Sequence, residues 1–298
     1  MLTSDRPLAP PSASLPGSGT LGIVAGRGTL PLQLAETCLS AGRPVFLLGI
    51  EGETHRGIER FPHRWIALGA VGAGLQALRE AGCGELVLIG PVSRPDFGKL
   101  SLDWEGVKLA PKLALAATRG DDALLSAVVR HVEEAGFRLL GVDDVMKDLR
   151  APLGPVGRHV PSPAAEADIA RAAEVVRALG AHDIGQGAVV CDGLVLAVEA
   201  VEGTDAMLRR CADLPGELRG RPDARRGVLL KRAKPGQERR VDLPAIGPRT
   251  VQLASVAGLA GIAVEAGGTL VLDRPEVARL ADEHGLFVVG VAAPSASG

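Results

Sequence analysis

Acidic and basic residues sit in this chain at spacings that suit phosphate chemistry. Gly120-Asp121-Asp122 places two adjacent carboxylates at the start of a predicted helix. One acid of such a pair caps the helix, the role expected of Asp121, while Asp122 is available for a hard divalent cation. A second cluster runs Glu199-Ala200-Val201-Glu202-Gly203-Thr204-Asp205, three acids in seven residues where a strand meets a helix. Glu202 and Asp205 could hold a metal there, or could simply complement the helix dipole. Farther on, Lys231 ends an apolar strand and Lys234 sits in a loop, and both can neutralise phosphate oxygens. Asp242 is an isolated acid in a basic neighbourhood, able to bind a cation or orient water, or to pair with an arginine.

Glycines supply the second kind of signal. Ala25-Gly26-Arg27-Gly28-Thr29 follows an apolar run and precedes a helix, so its backbone N–H groups could face phosphate oxygens. Pro31 stands where a dinucleotide fingerprint would carry its third glycine, which weakens a nicotinamide or flavin reading. A tight turn without a ligand is the plainer alternative. Gly90-Pro91-Val92-Ser93-Arg94 closes another strand, at the end where open α/β sheets bind ligands.

These residues need elements to hold them. Strands over 21–24, 45–49 and 85–89 alternate with helices over 30–41, 71–80 and 121–134, and a further strand is read at 138–142. That order predicts an open, Rossmann-like parallel sheet over residues 20–150. Residues 151–163 hold four prolines and two glycines and read as a linker. From 164 to 298 a helix (164–179) leads into strands at 188–191 and 194–198 joined by Asp192-Gly193, a hairpin signal. A helix over 204–211, strands at 227–231 and 269–272 and a helix over 275–283 make this half an α+β domain. Residues 1–19, rich in Pro, Ser and Gly, read as a disordered leader without a secretory signal.

Composition narrows the function. No apolar run approaches the roughly 20 residues that span a bilayer. Cys38, Cys83, Cys191 and Cys211 lie far apart, which suits neither a zinc site nor a disulfide framework and fits a reducing cytosol. The net charge is −2, yet residues 209–240 carry eleven Lys or Arg against four Asp or Glu. That stretch could meet polyphosphates or an anionic membrane face, or be a solvated loop. With five Phe, two Trp and no Tyr in 298 residues, stacking on nucleic-acid bases is not expected. No G-x-S-x-G elbow, H-E-x-x-H pair or Walker A loop is present.

Together, Ala25 through Pro31, Gly120 through Leu125, Asp183-Ile184-Gly185-Gln186, Glu199 through Asp205 and Lys234 through Gly247 resemble the LpxI family of lipid A biosynthesis. The resemblance covers residues 21–291, with Glu238 standing where Asp is expected. It implies two domains with an active site in the cleft between them, the first binding UDP and the second the diacylated sugar phosphate. The implied reaction is Mg²⁺-dependent cleavage of UDP-2,3-diacylglucosamine into UMP and 2,3-diacylglucosamine 1-phosphate, with water directed at the α-phosphorus of UDP. By the same resemblance Asp242 is catalytic. Substrate contacts fall on Ala25, Gly26, Arg27, Gly28, Gly90, Pro91, Gln186, Gly203, Thr204, Lys231 and Lys234. Metal ligands fall on Asp122, Glu202, Asp205 and Asp242. Peripheral contact with the cytoplasmic membrane face is expected, no nucleic-acid partner, and a homodimer is compatible with it. A nucleotide-cofactor oxidoreductase and a non-catalytic nucleotide-sugar sensor are the rival readings.

Overall fold

The computed structural model describes residues 19–93, 100–118 and 120–293; residues 1–18 of the expected leader and Arg94 lie outside them. The chain divides into two compact units, one formed by residues up to Ala114 with Ala127–Met146, the other by Leu115–Ser126 with Lys147–Gly298.

The first unit is built on strands β1 (Thr20–Ala25), β2 (Val45–Ile50), β3 (His63–Ile66), β4 (Cys83–Ile89) and β5 (Arg138–Leu139). They pair in parallel in the order β3-β2-β1-β4-β5. Helices α1 (Leu30–Ser40) and α2 (Val71–Glu80) make the crossovers, as a parallel sheet requires. Leu21, Ile23, Leu47, Leu86 and Val87 are fully buried, which accounts for the near-continuous apolar character of these strands. The strand expected at 138–142 stops at Leu139. The backbone turns at Gly141, whose N–H donates to the Asp144 carboxylate, and α5 (Val142–Val145) begins. Besides α5, neither β3 nor helix α3 (Trp104–Ala117) was foreseen from the sequence. Helix α4 (Asp121–Glu134) follows α3, and its first turn is counted with the second unit.

The second unit contains β6 (Gly154–Pro155), α6 (Pro163–Ala181), β7 (Gly187–Cys191), β8 (Leu194–Val198), α7 (Gly203–Ala212), β9 (Val228–Lys231), β10 (Ala245–Ile246), α8 (Pro248–Val256), β11 (Gly261–Glu265), β12 (Leu270–Val271), α9 (Arg274–His284) and β13 (Phe287–Val291). Its main sheet has the order β6-β13-β11-β9-β7-β8. Strands β9, β11 and β13 are parallel, while the β7–β8 hairpin and β6 run antiparallel at the edges. The sheet is therefore mixed, with a parallel centre. Alternation along the strands splits the core in two. Val189, Leu229, Ile262 and Val288 pack with α7, α8 and α9, whereas Val190, Val228, Leu230 and Phe287 pack under α6. The Asp192-Gly193 turn has both residues at positive φ, the geometry of a two-residue hairpin, and Asp168 accepts from both N–H groups. Residues 151–163, expected as a linker, belong to this unit, and β6 within them pairs with β13.

Candidate active site

The strand order of the first unit reverses direction between β1 and β4, and ligands of open α/β sheets bind outside the carboxyl ends of strands at such a point. Both glycine loops lie there. Gly26 N–H donates to Ile89 O (2.8 Å) and Arg27 N–H to Pro91 O (2.9 Å), so Ala25, Gly26, Arg27 and Gly28 run beside Gly90 and Pro91. Arg27 donates to Ser93 Oγ (2.9 Å) and lies 3.4 Å from Glu53, with its side chain half exposed. The structure adds a reason for glycine at 26. A Cβ there would run into the backbone of Gly90 and Pro91, so the neighbouring loop itself excludes a side chain.

In the second unit Lys234, buried to 9% exposure, gathers the carboxylates. Its Nζ donates to Asp183 and lies 2.9 Å from Asp122 Oδ1. That Oδ1 is buried but out of line for a hydrogen bond. The two acids respond in opposite directions. Burial pushes the Asp122 carboxyl up, the Lys234 charge only partly opposes this, and the charges of Asp183 and Asp242 add to the rise. Burial is the largest influence on Asp183 and acts upward, but the hydrogen bond and charge of Lys234, together with the contacts to Asp122, outweigh it and hold the carboxyl below its usual range. Burial works against the ammonium of Lys234, and the hydrogen bond to Asp183 with the ion pair to Asp122 overcomes that and raises its pKa. Gly120 is needed for this arrangement. Its φ is +123°, and the Asp183 carboxylate occupies the place a Cβ would take.

Gln237 joins this cluster to Asp242. Its amide is buried and fully used: Oε1 accepts from Lys234 N–H (2.8 Å), and Nε2 donates to Asp242 Oδ2 (2.5 Å) and Gln186 Oε1 (3.3 Å). The Asp242 N–H in turn donates to Glu238 O (3.0 Å), which fixes the short turn that carries the acid. Glu238 itself is held by Arg240, whose hydrogen bond lowers the carboxyl's pKa against the upward pull of burial.

The remaining expected residues fall into two groups. Lys231 Nζ donates to Thr204 Oγ1 (2.7 Å) and Ala245 O (3.3 Å), and Thr204 donates to Glu199 Oε1 (2.8 Å). This buried network ties the end of β9 to the start of α7 and to the strand just after Asp242. Glu199 Oε2 within it is buried without a hydrogen-bond partner. Glu202 instead accepts from Arg210 (2.8 Å), and Asp205 accepts from Arg249 and lies 3.7 Å from Arg209. Those two acids are spent on arginines, and the structure does not bring them to Asp122 and Asp242. Gly203 begins α7 at φ +76°. Asp183 and Gln237 stood within motifs brought out from the sequence, but neither was given a role of its own. The available signal was the short Asp-Ile-Gly-Gln segment after a long helix, of which only Gln186 was expected to act.

The arrangement sets one ammonium between two carboxylates, with a third acid, oriented by an amide, near enough to act on Asp122. Comparison with known proteins agrees in kind. Residues 20–149 match the model of the LpxI N-terminal domain, and residues 152–289 that of the LpxI C-terminal domain. The chain is 50% identical over 271 residues to the UDP-2,3-diacylglucosamine pyrophosphatase LpxI of Caulobacter vibrioides (strain ATCC 19089 / CIP 103742 / CB 15). That alignment covers 91% of this chain and 97% of the relative.

Proposed function

The chain belongs to the LpxI family, and from that premise we propose that it hydrolyses UDP-2,3-diacylglucosamine to UMP and 2,3-diacylglucosamine 1-phosphate. The observation that carries the chemistry is the buried Lys234–Asp122–Asp183 cluster joined through Gln237 to Asp242. Pyrophosphate cleavage asks the protein for charge neutralisation and positioning rather than covalent help. Lys234 supplies a fixed positive charge. Asp242, held at Oδ2 by Gln237, orients water and accepts its proton. The water oxygen bonds to the α-phosphorus, and the bridging P–O bond breaks and leaves its electron pair on the lipid-linked phosphate. Gln186, whose amide oxygen takes the other Gln237 hydrogen, is a further substrate contact in this reading.

Mg²⁺ is part of the same proposal. Among the described residues no three His, Cys, Asp or Glu side chains form a metal cage. Mg²⁺, however, is commonly bound by one or two carboxylates together with substrate phosphates and water. Asp122, with a buried oxygen lacking a hydrogen bond, and Asp242 fit that donor set. Asp122 and Asp183 facing one ammonium, with Asp242 near enough to act on Asp122, also leave local negative charge that would repel a pyrophosphate. The bound cation would neutralise this charge and that of the leaving phosphate.

The diacylated substrate is a membrane lipid, and no helix of the described residues is long and apolar enough to cross a bilayer. The enzyme in this reading works peripherally, at the cytoplasmic face of the inner membrane. The experiment is incubation with UDP-2,3-diacylglucosamine and Mg²⁺ in H₂¹⁸O. UMP carrying ¹⁸O is expected, with loss of turnover in EDTA and recovery on adding Mg²⁺. Label in the lipid phosphate would overturn the site of attack, and full turnover in metal-free chelator would overturn the role of Mg²⁺.

A further inference from the structure

Helix α3 has two unlike faces. Gly106 and Leu109 are buried against the first unit, whereas Trp104 is 73% and Val107 48% exposed, and Pro111 is exposed as well. Spacings of three and seven residues return to the same side of a helix, so these groups form one apolar stripe. Lys108 and Lys112, four and eight residues beyond Trp104, are exposed along one border of it. Lys108 Nζ lies 5.3 Å from the centroid of the Trp104 ring and 2.9 Å from Glu105. Tryptophan is scarce here, two in the chain with no tyrosine, and the other, Trp65, packs against Gly49 of the sheet. One of two tryptophans thus stands mostly in water, beside aliphatic groups and lysines.

We propose that this face of α3 is a lipid-docking surface that seats the enzyme on an anionic bilayer. Tryptophan rings favour the level of the headgroups, and a helix with an apolar stripe bordered by lysines lies in the plane of that interface. Trp104, Val107 and Pro111 enter the acyl boundary, and Lys108 and Lys112 pair with headgroup phosphates. Charge complementarity selects this occupant. Glu105 offsets part of the charge of Lys108, and with Lys112 the border keeps a positive excess that anionic lipid opposes with the right sign. The proposal rests on the reading that the substrate is a membrane lipid, and it locates where the protein meets that membrane.

The test uses the intact chain carrying Trp65→Phe, so that Trp104 is its sole tryptophan. Mixing with phosphatidylglycerol-containing vesicles shifts Trp104 emission to the blue and carries the protein into the floated fraction, and both effects weaken at high salt. Lys108→Glu with Lys112→Glu lowers vesicle binding by about tenfold or more, and Trp104→Ser with Val107→Ser, followed by flotation alone, does likewise. Equal binding by parent and variants would overturn the proposal, as would equal binding to purely zwitterionic vesicles. A concentration-dependent dimer abolished by Trp104→Ser, with no vesicle binding, would assign the face to a second copy. Hydrolysis of substrate dispersed in detergent micelles, measured in the same preparations, stays near the parent value. Failure of the parent itself to hydrolyse would count against the enzymatic reading and not against docking.

Discussion

Gln237 and Asp242 act as a unit at the level of single residues. On the proposed mechanism, truncating the acid in Asp242→Ala removes water orientation, which matters mainly in the transition state, while Lys234 still holds the ground state. We expect kcat to fall by about 10²-fold or more with affinity nearly kept. Gln237→Ala leaves the acid in place but frees Oδ2, and should lower kcat by roughly 10- to 100-fold at similar KM. Gln237→Glu keeps the shape, removes the donor and sets a like charge beside Asp242, so the acid limb of its pH–rate profile should move to higher pH. A lowered thermal midpoint with normal kcat in these variants would make both residues structural. Charge sets the third expectation. Asp183 has its folded pKa depressed, so its contribution to stability is complete above the unfolded value of about 3.9 and is lost as pH falls through the folded one. The gap in thermal midpoint between the parent and Asp183→Asn should be full at neutral pH and close below about pH 4. A gap that is constant with pH would mean that shape, not charge, is responsible. Sequence brought out Lys234, Asp122 and Asp242 because charged residues near predicted element ends announce themselves. Gln237 gave no such sign, since a neutral amide acquires its role only from three partners in space.

Among the elements, those with uninterrupted patterns were readable in advance. Helices α2 and α4 have the expected bounds, and the Asp-Gly pair does join β7 to β8. Strand β3 was hidden because His63-Arg64-Trp65-Ile66 sits at the sheet edge, none of its residues fully buried, and so shows no apolar alternation. Helix α3 was hidden by Gly106 and by Pro111, which gives no N–H to the helix ladder. Its composition argues against a helix until Gly106 and Leu109 are seen on its buried side. In the loop between β1 and α1 the structure adds a reason for a glycine that the sequence had brought out: the side chain of Gly26→Val would press on Gly90 and Pro91. Overpacking of that kind costs about 1–3 kcal/mol, so the thermal midpoint should drop and KM should rise because two loops shift together. Differential scanning calorimetry beside steady-state kinetics would check this. A variant with an unchanged midpoint and a raised KM would restore the view that Gly26 makes way for substrate.

At the scale of the whole molecule, sequence order and structural membership part company. A reader of the sequence divides the chain near residue 150, and the two matched family models divide it at nearly the same place. The second unit nonetheless contains Leu115–Ser126, taken from between two stretches of the first. Asp122 travels with that segment, so the carboxylate beside Lys234 is encoded before the boundary that a linear reading sets. No periodicity or turn signal could reveal this, because α4 is one continuous helix whose first turn is counted with one unit and whose later turns with the other. A fragment comprising residues 147–298 keeps the six-stranded sheet, with both of its core layers, but lacks Asp122. Lys234 then retains Asp183 alone, and losing one of two carboxylate partners should cost about 1.5–3 kcal/mol. The fragment should therefore fold, melt below the second unit of the intact chain, and show no hydrolysis. Asp122→Ala in the intact chain isolates the contribution of that carboxylate, and should reproduce most of the loss in melting temperature while leaving the first unit's loops in place. If the fragment melts like the intact chain, Leu115–Ser126 contributes nothing to the second unit and the boundary belongs where the sequence alone would set it.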